Sequence, residues 1–459
     1  PERKATLRAC DVEPAGFVGV ARTEIDLIGK LRRLPRHVGV GPDGVSNELL
    51  AALDRFHFDA RATRVMPLLN EFCTLEVNGD LPPWWYAAVT FIKLVALLKD
   101  GGAGVRPIAV GNALRRAITR SIVADLRETA ARVLSPVQLG SGVRDGAACY
   151  AAAARLALES AAAYNAEHKD DETFVPRGVF SLDKKNAFNE LSRASIVANL
   201  RVLPGFGGIA RYAALMLAPE SSIVLSLPGA PLAPFRSCEG WQQGDAMGAL
   251  GYGAATYARS ATLVNAARDA GGSAAFFADD AWLEAPVDTG LALVAAYGAA
   301  IAPDGEVLQE RKCSVLVPGL TALEVAALPA LRAHATCEIE EAGGALVTRL
   351  ASIRVVDDEG LVVCGVPIGT PSFAQGAIAT KVTEMCSYTK TINDKLCSVD
   401  PQSAFALLRN CSARRLDFLA SNAYPSDGAA SYARFDVAVD EAARLALGGA
   451  GPGILSDSL

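Results

Sequence analysis

The chain has 459 residues, 51% of them hydrophobic and 20% charged, enough apolar material for a large core spread over two or three lobes and too much for a disordered chain. The formal net charge of -6 argues against a protein that holds polyanions by bulk positive charge, because such binding ordinarily shows as a basic face. Ten cysteines stand singly with no CxxC spacing, which points to a reducing compartment and away from a disulfide framework or a zinc cluster; His334 and Cys337 lack a second ligand pair.

The first residue is Pro1, and no basic segment followed by an apolar one opens the chain, so the expectation is a piece of a longer protein. Residues 24–33 carry a helical pattern, and Gly39-Val40-Gly41-Pro42-Asp43-Gly44 is turn material before a helix over 46–56 that Ser46 or Asn47 would cap. Helices are predicted over 62–73 and, after Pro82-Pro83, over 84–90. Residues 91–98 read as a strand, Lys99-Asp100-Gly101-Gly102 as a turn and 105–110 as the returning strand, giving a hairpin with Lys99 and Arg106 near its bend. Helices follow over 113–126 and 147–166. The second is rich in alanine, but Arg155 and Glu159 interrupt it, so it predicts an interior helix rather than a membrane span.

An apolar strand over 179–183 ends in Asp183 and is followed by Lys184-Lys185-Asn186-Ala187-Phe188-Asn189-Glu190 and a helix from Ser192. Two strands are expected at 222–227 and around 235–238. The segment Gly240-Trp241-Gln242-Gln243-Gly244-Asp245 then feeds a helix of small residues over 246–267, which lets it approach a sheet closely. Residues 273–283 read as a hairpin with Asp279 and Asp280 at its tip. A helix over 289–302 leads to a strand over 311–317 with Lys312 at its entrance. Beyond Gly369 the pattern is mostly helical, clearest over 404–409 and 434–447. Strands and helices mix irregularly, so the predicted class is α+β.

The two adjacent carboxylates at 279–280 lie between apolar segments that would otherwise be core. A solvated turn is the plain reading of such a pair, since turns favour Asp for local hydrogen bonding. Asp183, at the end of a similar strand, is able to bring a third carboxylate beside them, which suits a two-metal site for phosphoryl transfer. Hard Mg²⁺, with Mn²⁺ as a substitute, prefers such oxygen ligands. Local basic clusters, Arg32, Arg33 and Arg36, then Arg106, Arg115, Arg116 and Arg120, allow a basic groove despite the acidic total.

Taken in order, these features resemble reverse transcriptases, in particular those of non-LTR (LINE-like) retrotransposons, over most of the chain from about Gly41 to about Gly449. Gly41-Pro42-Asp43-Gly44-Val45 is similar to the opening segment of the fingers, Arg106-Pro107-Ile108-Ala109-Val110 to a finger strand, and Gln138-Leu139-Gly140 to the loop after it. Ser181-Leu182-Asp183-Lys184-Lys185-Asn186-Ala187-Phe188-Asn189 resembles the first catalytic motif, Gln243-Gly244-Asp245 the template-side motif, and Phe277-Ala278-Asp279-Asp280 the second catalytic motif. Glu310-Arg311-Lys312-Cys313-Ser314 and Gly365-Val366-Pro367-Ile368-Gly369 resemble later palm motifs. One departure is Ala246, where the family usually has proline after Gln-Gly-Asp, so the turn into that helix is less rigid.

The resemblance implies a right-hand polymerase fold: N-terminal segment and fingers over 1–170, a palm over 171–370 with an antiparallel sheet backed by helices, and a thumb-like helical region over 371–459. It implies an RNA-directed DNA polymerase taking template RNA, a DNA primer and deoxynucleoside triphosphates, with no membrane partner, acting inside the cell, in the nucleus for an active eukaryotic element. Asp183 and Asp279 would bridge two metal ions and Asp280 would support them. Lys99 and Arg106 would hold the triphosphate, Lys312 would neutralise or protonate the leaving group, and Gln243 and Gly244 would contact template or nucleotide. Phe188 would lie under the sugar and exclude a 2′ hydroxyl. An RNA-dependent RNA polymerase shares the palm logic but usually carries Gly where Ala278 stands. A decayed or domesticated copy acting as an RNA-binding scaffold is the non-enzymatic alternative.

Overall fold

The structure, a computed structural model, describes residues 31–448 apart from 32, 37, 54–64, 99–104, 218–220, 226–232, 340–345 and 357–359. The expected helix over 24–33 therefore lies almost wholly outside the described residues, as do Arg32 and the tip of the first hairpin. The fold is α+β, and the chain divides into two compact units: residues 1–146, 181–283 and 292–313 form the first, and residues 147–180, 284–291 and 314–459 the second.

The first unit begins with helices α1 (Asn47–Leu53), α2 (Val65–Asn78) and α3 (Pro83–Val89). Ser46 caps α1, its Oγ accepting from Leu49 N at 3.1 Å, and proline opens α3, where its missing N–H costs no bond. Strands β1 (Ile92–Leu98) and β2 (Val105–Val110) pair antiparallel, from Lys93 opposite Val110 to Leu98 opposite Val105. Helix α4 (Ala113–Leu134) runs eight residues past the end that the sequence suggested. Helix α5 (Gly146–His168) and strand β3 (Arg177–Leu182) precede the short helix α6 (Ala187–Glu190), then α7 (Arg193–Val202) and α8 (Gly207–Leu217). Strand β4 (Ser221–Leu225) lies parallel to β1, and β5 (Ala233–Ser237) lies antiparallel to β4, giving the order β2-β1-β4-β5.

Helix α9 (Ala246–Asp269) buries Gly248, Gly251, Gly253, Ala254 and Ala255 in the core of this unit beside Phe206, Tyr212, Met216 and Trp241. Small side chains permit that close approach. Strands β6 (Ser273–Phe277) and β7 (Asp280–Pro286) follow, then α10 (Val287–Ile301) and β8 (Ser314–Leu316). After α11 (Ala322–Ala327) come β9 (Ala335–Ile339), β10 (Leu346–Leu350) and β11 (Ile353–Val355). The larger sheet has the order β6-β7-β3-β8-β11-β10-β9, and β3 and β7 each run through the division between the units. It is mixed rather than purely antiparallel, because β11 pairs with β8 in parallel.

In the second unit, strands β12 (Gly360–Val363) and β13 (Val366–Gly369) form a two-stranded ribbon. The helices α12 (Pro371–Leu396), α13 (Pro401–Leu407), α14 (Asp417–Asn422) and α15 (Pro425–Ala446) follow. Ile378, Val382 and Met385 on α12 pack with Leu419 of α14 and Phe435 of α15, a helical core of their own. Among the described residues no helix is long and apolar enough to cross a membrane.

One buried carboxyl gives the first unit a pH-dependent stability. Glu76 on α2 is buried, with Oε2 accepting from Trp85 Nε1 at 3.0 Å and Oε1 unpartnered. Dehydration raises its pKa from 4.5 to about 7 against the opposing Trp85 hydrogen bond and the Arg115 charge. Between these values the folded state holds a proton that the unfolded state releases, so stability falls as pH rises through the window. Glu76→Gln keeps an acceptor for Trp85 and removes that loss. Its thermal midpoint should exceed that of the wild type at pH 8, by the equivalent of about 1–3 kcal/mol, with the advantage vanishing near pH 4.

Candidate active site

Asp183 follows the last residue of β3 and is held by a segment far along the chain. Its carbonyl accepts from Gln309 N at 2.8 Å, Lys185 N donates to Val307 O at 2.9 Å, and Lys184 bridges to Leu308. The Asp183 carboxylate, half-buried, meets Lys312 Nζ at 3.3 Å from Oδ2. Asp279 sits in the two-residue turn between β6 and β7, and Asp280 is the first residue of β7. The carboxylates lie close enough to repel. Asp279 is raised above its ordinary value by dehydration and by Asp183, against its own backbone N–H and the Lys184 charge. Asp280 rises from 3.8 to about 6 through dehydration, then Asp279 and Asp183, with Lys312 opposing. Because Asp280 remains exposed to water, repulsion is the weightier physical cause there.

Lys184, the neighbour of Asp183, turns inward. Its Nζ is fully buried and donates to Tyr252 Oη at 2.9 Å and to Glu306 Oε1 and Oε2 at 3.1 and 3.3 Å, while Tyr252 Oη donates to Glu306 Oε1 at 2.5 Å. The rings of Tyr252, Tyr297 and Phe276 surround the ammonium at 5.2, 5.5 and 5.9 Å from their centroids. Burial alone would lower the pKa of Lys184, but Tyr252, Tyr297 and Glu306 outweigh it and hold it well above 10.5. Both phenols are themselves raised, first of all by burial. Phe188 stacks on Tyr252 with ring centroids 4.5 Å apart and planes 27° apart. The cluster thus supports both Asp183 and Phe188.

The hairpin tip has its own brace. Ala278 takes a left-handed backbone conformation, φ 53°, which a β-carbon disfavours. Gln138 holds it there, its Nε2 donating to Ala278 O at 3.0 Å and its Oε1 accepting from Ala278 N at 2.8 Å and from Gly140 N at 2.9 Å. Leu139 N and Phe276 O, and Phe276 N and Val137 O, add two backbone bonds of 2.8 Å.

The Gln243-Gly244 loop is fixed from three sides. Gln243 O accepts from Ala109 N of β2 at 2.7 Å. Gly244 has φ +117°, and a β-carbon there would meet Ala109 O at 2.5 Å, so glycine is required by both conformation and space. Asp245 caps α9 by accepting from Met247 N at 2.9 Å and forms a buried pair with Arg115 Nη2 at 2.8 Å. That cap supplies the definition that proline would give at Ala246. Arg193, fully buried, donates to Gly240 O, Leu217 O and Ser237 Oγ at 3.1, 2.9 and 2.9 Å, and Trp241 N donates to Phe188 O at 2.7 Å. The loop is therefore tied to the Phe188 segment as well.

Of the sequence-derived residues, Asp183, Asp279, Asp280 and Lys312 come together, Phe188 joins them through the Lys184 cluster, and Gln243 and Gly244 dock on β2. Arg106 is exposed on that strand, three residues before Ala109. Lys99 lies outside the described residues. Sequence reasoning missed Tyr252 and Glu306, and no local pattern marks Glu306; Lys184 and Gln138 were visible only as parts of motifs, without a role of their own. Among the described residues no group of three or more His, Cys, Asp and Glu side chains is gathered tightly enough to hold a metal ion. The chemistry of the donors, carboxylate oxygens with Asp279 and Asp280 raised by burial and by neighbouring carboxylates, is nevertheless of the kind a hard divalent cation takes. A scan against models of protein families finds no match, and a search of curated proteins finds no relative.

Breaking the buried pair tests its structural weight. Lys184→Met leaves Glu306 unpaired and should lower the urea-unfolding stability by about 3–5 kcal/mol. Lys184→Met combined with Glu306→Gln should recover much of that loss, since it removes both charges together.

Proposed function

We propose that the chain is an RNA-directed DNA polymerase core like those of non-LTR retrotransposons. The observation that carries this reading is the gathering of Asp183, Asp279 and Asp280 with Lys312 at the ends of β3 and the β6–β7 hairpin, where burial and the neighbouring carboxylates raise Asp279 and Asp280. In this reading the β2-β1-β4-β5 sheet belongs to the fingers, the β6–β7 hairpin and β3 to the palm, and α12–α15 to the thumb of a right-hand fold.

The reaction joins a primer 3′ hydroxyl to the α-phosphorus of a deoxynucleoside triphosphate and releases pyrophosphate. Asp183 and Asp279 would hold two Mg²⁺ ions with Asp280 in support, and when bound the ions lower the pKa of the attacking hydroxyl and neutralise the leaving group. The chain's own residues do the rest. Lys312, exposed beside Asp183, supplies a mobile positive charge for phosphate oxygens. Phe188, backed by Tyr252 at 4.5 Å, presents a fixed wall against a sugar 2′ hydroxyl. Gly244, whose missing side chain lets the loop sit against Ala109 O, would present its backbone to template or nucleotide.

One observation favours the scaffold alternative: Asp183 Oδ2 is already engaged by Lys312 at 3.3 Å. Primer extension on poly(rA)/oligo(dT) with Mg²⁺ or Mn²⁺ separates the two. The wild type should extend the primer, and Asp279→Ala should abolish extension while leaving the melting temperature and duplex binding in place. A folded wild type that binds duplex and never extends it leaves the scaffold reading standing.

The role of Phe188 has a sharper readout. Phe188→Val should raise ribonucleotide incorporation relative to deoxynucleotide by roughly 10–100-fold in single-nucleotide assays. Unchanged discrimination removes Phe188 from sugar selection.

A further inference from the structure

A cavity of ≈ 370 Å³ lies in the second unit and is lined by residues of that unit alone. Its walls are α5, the end of β8 with the loop after it, the end of β13 with the first turn of α12, and the start of α15. Leu158, Leu316, Val317, Ile368 and Ala374 supply an apolar part of the lining, and each is buried. Water against such a surface is displaced favourably by an apolar body.

Four charged side chains also line the cavity: Arg155 and Glu159 on α5, Glu324 on α11 and Asp427 on α15. Arg155 is taken up by the protein itself. Its guanidinium lies 4.5 Å from the centre of the Tyr424 ring, and Nη2 donates to Asn422 O. The Tyr424 hydroxyl in turn donates to Glu159 Oε1 at 2.8 Å. Glu324 accepts from Thr321 N and Oγ1 at 2.7 and 2.8 Å, which holds its carboxyl below the usual range. Asp427, half-buried, accepts from Ser426 Oγ at 3.5 Å. Among the described residues no ion pair engages Glu159, Glu324 or Asp427. Three carboxylates thus stand against one guanidinium. The starts of α12 and α15 add about half a positive charge each, which leaves the lining about one unit negative.

We infer that this cavity binds a small organic cation, a protonated amine or amidinium carried on a single apolar ring or short chain. Asp427 and Glu159 pair with the cationic end, and the apolar residues take the body. The same lining already holds a cation of the protein's own, since Tyr424 stacks on Arg155 and hydrogen-bonds Glu159. Cavities that hold small molecules run to ~300–1,000 Å³, so this one suits a compact molecule. An α-helix, ~10 Å across, does not enter it. The occupant touches α5, α12 and α15 together and braces the second unit. None of these residues has a part in the polymerase reading, so the site stands or falls without it.

Isothermal titration calorimetry of the whole chain with 2-phenylethylammonium, its neutral isostere 2-phenylethanol and the anion 3-phenylpropanoate tests this, with thermal melting as a second readout. The ammonium should bind and raise the melting temperature with dose. The alcohol should bind about ten-fold more weakly, and the anion should not bind. Asp427→Asn and Glu159→Gln should each weaken the ammonium roughly three-fold or more and leave the alcohol unchanged. Ala162→Leu, which fills the cavity from α5, should block both, and Asp436→Asn, outside the cavity, should alter neither. Melting without ligand checks that each variant folds. Equal affinity of the wild type for ammonium and alcohol overturns the inference, as does unchanged ammonium affinity in both carboxylate variants, or no binding of the ammonium at all. A lysine-containing peptide that binds where the ammonium does not reassigns the cavity to a protein partner and overturns it too.

Discussion

A buried ammonium next to the Asp183 carboxylate governs the first unit. Lys184 cannot leave water without a counter-charge, and Glu306, 122 residues away, supplies it. Because Asp183 and Lys184 are consecutive, satisfying one side chain inside directs the other outward. Tyr252 completes the arrangement by donating to Glu306 and accepting from Lys184, and its ring carries Phe188. Helix α9, the segment 306–313 and the end of β3 are thereby referenced to one polar point in an apolar surround. Such a pair adds little net stability over a well-packed apolar core, but it fixes register, since a shift of one residue would strand a charge.

The same device recurs where loops need fixing. Arg115 is buried against Asp245 and holds the start of α9, while Arg193 is buried among three oxygen acceptors around the loop that precedes it. These cations serve internal acceptors and add nothing to a surface field. Arg120 and Arg127 are different in kind, without a carboxylate partner among the described residues and beside a groove. The net charge of -6 merges these populations, so it says little about local sign.

Much of the secondary structure was legible because the signals were local. The β2 strand, the Ser192 cap of α7 and the hairpin around Asp279 follow from alternation, capping chemistry and turn residues. Helix α12, 26 residues long, lies in the stretch read as mostly helical but was not singled out, since it mixes small, polar and apolar residues with little contrast between its faces, and the strands β9 to β11 escaped. β11 pairs in parallel with β8, a strand of only three residues. In the site, the carboxylates were visible as charge among apolar neighbours. Their supports were not, because Glu306, Gln138 and Tyr252 matter through contacts of long sequence separation that no local pattern encodes. Lys184, beside Asp183, has its reason to be inside in Glu306, 122 residues away.

The Gln138 brace has a consequence for how the molecule is assembled during synthesis. The left-handed peptide at Ala278 is held by an amide 140 residues earlier in the chain, so the hairpin is made into a defined tip by a loop that has waited for it. Closing so long a loop is slow compared with forming the hairpin itself. The strands of the hairpin are therefore able to pair early while the acidic tip takes its geometry only when the Gln138 loop docks. A fragment beginning after residue 146 would retain all three carboxylates and lack the part that aims two of them.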